Sequence, residues 1–256
     1  MIDKAARLVV SFFLASAGLW LLVAAGLAYV VAAKSTDPTF LGSCEFLTYG
    51  KVKAAQTNAF VYGWASNAVF AVSIWLLARL GQAEVRGRFY LIVAGAVWNL
   101  AITLGLGGIL AGHMTSSDLM EMPVVVWPAL LVSYFVIAAM IVVLHRSRIN
   151  RETYVTQWFV LASFLWFPAL FLVAWQGLEL NPGRGTVQSV VSMWYSQNVI
   201  WLWITPIALG SAYYLIPKIL GRPIEKYYLA IFGFWCIAFL APWSGLHHLE
   251  GGPFPM

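Results

Sequence analysis

Two adjacent histidines, His247 and His248, are the residues of this chain whose types best suit metal chemistry. Imidazole serves copper, zinc and iron alike. Neighbouring residues point to different faces of a regular helix, so the pair can share one ion only from an irregular segment. A site also needs further ligands, because two donors leave a metal weakly held. Without them the pair reads as two interfacial histidines in a loop. His113 and His145 fall at the ends of apolar runs and read as interfacial. Gln56, Asn58, Asn67, Asn99, Gln157, Gln197 and Asn198 lie within apolar runs. Asn67, Asn99 and Gln157 read as helix–helix hydrogen-bonding groups. There is no phosphate-cradling glycine loop, no Ser-His-Asp set and no C-x-x-C pair. Cys44 falls in a loop and Cys236 inside an apolar run, which makes a disulfide between them a poor expectation.

The elements that must position these residues are membrane spans. Of 256 residues, 61% are hydrophobic and only 10% are charged, against about a quarter charged in soluble domains. Lipid or protein must cover most of such a surface. A span needs about 20 mostly apolar residues. Seven such runs occur, near 8–33, 55–80, 89–111, 123–144, 155–175, 187–216 and 227–243. They predict a single all-α transmembrane domain over residues 1–256. The breaks include Lys34 to Pro38, Asn181 to Gly185, and Pro217 through Pro223. Pro168 and Pro206 fall inside runs and predict kinks. The first run is too long for a cleavable signal peptide and lacks a small-residue cleavage site.

Charge sets the orientation. Lys4, Arg7, Arg79, Arg86, Arg88, Arg146, Arg148, Arg151, Lys218, Arg222 and Lys226 flank one side of the spans. Only Lys34, Lys51, Lys53 and Arg184 flank the other. The positive-inside rule then places the N-terminus in the cytoplasm and, after seven spans, the C-terminus in the periplasm of a bacterial inner membrane. The net charge of +5 thus reads as a topology signal. It forms no stripe for nucleic acid. All ten carboxylates fall in loops or at span ends, which argues against a stand-alone proton-coupled transporter.

Three segments resemble subunit I of the cbb-type (C-family) heme-copper cytochrome c oxidases. The first runs from Phe46 to Phe60. The second is Tyr154-Val-Thr-Gln-Trp-Phe159. The third joins Trp194-Tyr-Ser-Gln-Asn198, Tyr213 to Lys218, Gly221-Arg-Pro223 and Trp243 to His248. The resemblance covers about residues 40–256 and the first seven of the family's roughly twelve spans. It implies a heme-copper oxidase subunit I-like bundle.

The resemblance also implies that functional positions have been replaced. Gln56 stands where the family has a low-spin heme histidine. Gln197 stands at the span-6 copper histidine. Ala241 aligns with the tyrosine cross-linked to that histidine. His247 and His248 alone match the copper-ligand positions. The remaining heme ligands belong to a tenth span. A glutamine amide has no basic nitrogen lone pair and ligates heme iron or copper poorly. The expectation is a non-catalytic scaffold subunit of a respiratory complex, with no cofactor held by this chain alone. Its partners would be other membrane subunits as obligate companions, lipid, and cytochrome c-type subunits. One alternative is half of a split oxidase or nitric oxide reductase, sharing heme b and copper with a partner chain. A further alternative is an assembly or transport protein. Gly63, Ala65, Gly95, Gly105 and Gly210 are expected to form a close-packing face for those partners.

Overall fold

A computed structural model describes residues 2–245 and 247. Among these residues seven long helices follow one another: α1 (Ile2–Thr36), α2 (Tyr49–Gly81), α3 (Arg88–Ala111), α4 (Val124–Arg146), α5 (Val155–Leu180), α6 (Thr186–Leu220) and α7 (Tyr227–Leu240). The first six are each long and apolar enough to cross a membrane. With its 3-10 extension the seventh spans Tyr227–Trp243 and is shorter. No strand occurs among the described residues. The all-helical membrane architecture expected from the apolar runs is the one observed.

The helices overrun the apolar stretches at several ends. α2 starts at Tyr49 rather than near residue 55, so Lys51 and Lys53 lie within its first turns, and the Lys51 ammonium donates to the Glu45 carbonyl (2.9 Å). α6 continues through Pro217 to Leu220, where the sequence suggested a break. Proline lacks an N–H, which orphans the carbonyl four residues earlier. Here that carbonyl belongs to Tyr213, and the Tyr154 hydroxyl donates to it (3.1 Å). The helix ends instead at Gly221, whose left-handed backbone (φ 63°) suits glycine.

The chain divides into two compact units. One comprises residues 11–71 and 89–137, and the other residues 1–10, 72–88 and 138–256. The core of the first is aromatic. Phe70 meets Phe13 and Trp98 edge-on at 5.4 Å and Tyr134 at 5.8 Å, and all four rings are buried. Glycines admit these rings. A Cβ at Gly63 would stand 2.7 Å from Trp20, and one at Gly95 would stand 2.7 Å from Phe12 and Phe13. Gly105 is closed in the same way by Met122. These glycines therefore serve packing inside the unit and not an outer face. Asn67 and Asn99 exchange hydrogen bonds between α2 and α3 (3.0 and 3.2 Å), and the Trp20 indole donates to Asn99 Oδ1 (2.7 Å). The reading of these asparagines as interhelical groups holds.

The second unit packs α5 against α6 and α7. Thr156 donates to the Gly210 carbonyl (2.7 Å) and Ser163 to the Trp203 carbonyl (2.6 Å). A Cβ at Gly210 would lie 3.2 Å from that of Phe159. Phe159 stacks on Tyr213 (5.7 Å) and meets Phe234 of α7 edge-on (5.2 Å). Gln157 does not bridge helices. Its Oε1 accepts the Tyr154 N–H (3.1 Å), closing the start of α5, because a glutamine in the first turn is within reach of its own orphan donors.

Candidate functional site

Gln56 sits in α2, half-buried, in the 11–71 unit. Two residues on, Asn58 is fully buried. Its Nδ2 donates to the Ala54 carbonyl (2.9 Å) and to Glu121 Oε2 (2.7 Å), while its Oδ1 has no partner in the structure. Immediately afterwards α2 widens into a π-helical stretch, Ala59–Ala65. Such stretches are rare and concentrate at functional sites. Tyr62, inside it, donates its hydroxyl to the Leu119 carbonyl (2.6 Å).

Glu121 lies in the loop between α3 and α4, as the sequence indicated, yet it is only 8% exposed. Burial is the largest influence on its carboxyl and holds it protonated to higher pH than usual; the Asn58 hydrogen bond works in the opposite sense. Sequence reasoning missed this group. The pairing partner is 63 residues away, and the signal available was limited to a carboxylate in a short loop.

Gln197 sits in α6, half-buried, in the other unit. The pattern around Gln56 recurs. Asn198 is fully buried, its Nδ2 donates to the Trp194 carbonyl (2.8 Å), and a π-helical stretch, Val199–Ile204, follows at once. The Trp194 indole donates to the Pro242 carbonyl (2.8 Å). Gly245 closes onto the same turn: a Cβ there would stand 2.9 Å from the Met193 carbonyl oxygen and 3.1 Å from Trp194 Cα. Its φ of 105° is open to glycine alone.

The segment after α7 is thereby docked one turn before Gln197. Ala241 is buried within it, and His247 is exposed two residues beyond Gly245. The 3-10 turn that follows α7 ends at Trp243, and Ser244 beyond it is extended. His248 lies outside the described residues. His113 and His145 stand at the end of α3 and in the last turn of α4.

These donors do not fit a heme-copper centre. Gln56 and Gln197 offer amide oxygens, hard and weakly basic, where heme iron and copper favour imidazole. His247 is the imidazole among the described residues after α7. Among the described residues no group of three His, Cys, Asp or Glu side chains converges on one point.

The comparisons with known proteins agree on ancestry. The chain is 26% identical over 253 residues to a cytochrome c oxidase subunit 1 homolog of Azorhizobium caulinodans, covering 88% of this chain and 42% of that one. It is 27% identical over 247 residues to the cbb3-type cytochrome c oxidase subunit CcoN1 of Stutzerimonas stutzeri, covering 92% and 51%. With cytochrome c oxidase subunit 1 of Rhodobacter capsulatus it shares 26% over 227 residues, covering 82% and 41%. The chain spans about half the length of these relatives. The family described as Cytochrome C and Quinol oxidase polypeptide I matches residues 8–256, and this multi-pass membrane protein belongs to it.

Proposed function

We propose that the chain is a non-catalytic, subunit-I-like membrane scaffold of a respiratory electron-transfer complex. Gln56 and Gln197 bind neither heme iron nor copper. The replacement of imidazole by amide at both positions carries this reading. A buried asparagine and a π-helical stretch follow each glutamine. The role of such a chain is to hold other membrane subunits and lipid in place. Purification of the tagged chain from native membranes in mild detergent tests the role. A fixed stoichiometry of other membrane subunits, some carrying c-type heme, is expected. A chain that emerges alone, with its fold intact, would contradict it.

A second reading is favoured by the docking of the 241–245 segment on Trp194. That contact brings the end of α7 to the turn before Gln197. On this reading a partner chain supplies the missing ligands, and His247 and His248 share copper with it beside heme b. Oxygen or nitric oxide reduction would then belong to the assembled pair. An assembly or transport role remains the third reading. Among the described residues the carboxylates lie in loops or, like Glu179, at span ends, which speaks against a proton-coupled transporter.

A further inference from the structure

Two cations and, among the described residues, no carboxylate line an open groove of about 360 Å3 bounded by Leu80, Tyr154, Tyr214, Pro217, Lys218, Gly221, Arg222 and Pro223. All of these residues belong to one compact unit. Lys218 and Arg222 sit at the end of α6 that the charge distribution assigns to the cytoplasmic membrane surface.

The cations are arranged for an anion. The Lys218 ammonium donates to the Tyr214 hydroxyl (2.9 Å) and lies 5.0 Å from that ring's centroid. Trp75 meets the same ring edge-on at 5.4 Å, which fixes the tyrosine and hence the ammonium. Arg222 offers a planar fork suited to phosphate. The negative end of α6 does not oppose an anion fully, because the backbone N–H groups of Gly221 and Arg222 both donate to the Pro217 carbonyl.

Exposed apolar side chains also crowd this end of α6. Leu215, Ile216, Ile219 and Leu220, on the same two turns of α6, are 41%, 56%, 80% and 67% exposed. In a bilayer this surface meets acyl chains. A basic, tyrosine-bearing open groove at the cytoplasmic interface, on the same turns of α6 as these apolar side chains, matches the chemistry of an anionic phospholipid.

We propose that Lys218 and Arg222, positioned by Tyr214, bind the phosphate of an anionic phospholipid at the cytoplasmic end of α6. The inference stands apart from the question of heme or copper at Gln56 and Gln197. The phosphate could equally come from a free anion, so the experiment separates the sources.

Purified full-length chain is titrated with phosphatidylglycerol and followed by native mass spectrometry. Retention of phosphatidylglycerol over phosphatidylcholine is expected. Lys218→Gln with Arg222→Gln should weaken it by roughly 25-fold, about fivefold per cation. The matched cytoplasmic pair Arg86→Gln with Arg88→Gln should leave it unchanged. Millimolar inorganic phosphate should not displace the lipid. Should the double variant fail to fold, Arg222→Gln alone must still show a loss of about fivefold. Equal losses in both charge pairs, equal retention of phosphatidylcholine, or displacement by inorganic phosphate would each overturn the proposal.

Discussion

Glu121 links burial to pH in this protein. An unfolded glutamate titrates near 4.5, and burial raises that value in the folded chain. The folded state therefore holds the proton more tightly than the unfolded state. The stability this contributes is full below about pH 4.5 and is lost as pH rises through the raised value. Glu121→Gln keeps an oxygen for Asn58 Nδ2 to donate to but has no charge to bury. Its thermal midpoint should vary less with pH than the parent's as pH rises above about 4.5, measured by tryptophan fluorescence in detergent. An unchanged pH profile would show that Glu121 is not the responsible group. The sequence reveals Glu121 as a loop carboxylate and goes no further, because burial depends on Asn58 and on the folded loop. The glutamines at 56 and 197 are legible as polar groups in spans. Their meaning came only from resemblance, since an amide in a helix carries no mark of a lost histidine.

At the scale of elements, α6 shows how a side chain can override local punctuation. Pro217 reads as a helix end, and the helix passes through it because Tyr154 satisfies the Tyr213 carbonyl. Tyr154→Phe should therefore cost on the order of 1 kcal/mol. The cost should shrink in a Pro217→Ala background, where the restored N–H takes over that carbonyl. Equal costs in both backgrounds would refute the coupling. Close packing makes a second demand. Gly63→Ala forces a Cβ into the Trp20 ring and should destabilise by about 1–3 kcal/mol, seen as a lower melting temperature. Small residues such as Gly63 and Gly95 are visible in the sequence, but it does not say which neighbour they admit. That is why they read as a partner-facing surface and turned out to hold aromatic rings within the unit. The π-helical stretches left no sequence signal at all.

For the whole molecule, composition was enough to indicate a multi-pass helical membrane protein, the likeness to bacterial oxidase subunits adds the bacterial inner membrane, and hydropathy placed the seven described helices to within a few residues at most ends. Orientation rests on where the lysines and arginines lie. Cys44, half-buried in the loop after α1, should react with a membrane-impermeant maleimide from the periplasmic side. Cys236, within α7, should not. Labelling of Cys44 only after the cytoplasmic face is opened would invert the topology, and with it the proposed lipid site. The most direct test of the scaffold reading concerns redox content. The chain is purified with its native partners, and a reduced-minus-oxidised heme spectrum and metal analysis are recorded before and after His247→Ala with His248→Ala. Heme and copper are expected to be unchanged, and neither to track with this chain when the subunits are separated. Loss of heme or copper with the two histidines would contradict it and make the chain part of an active site.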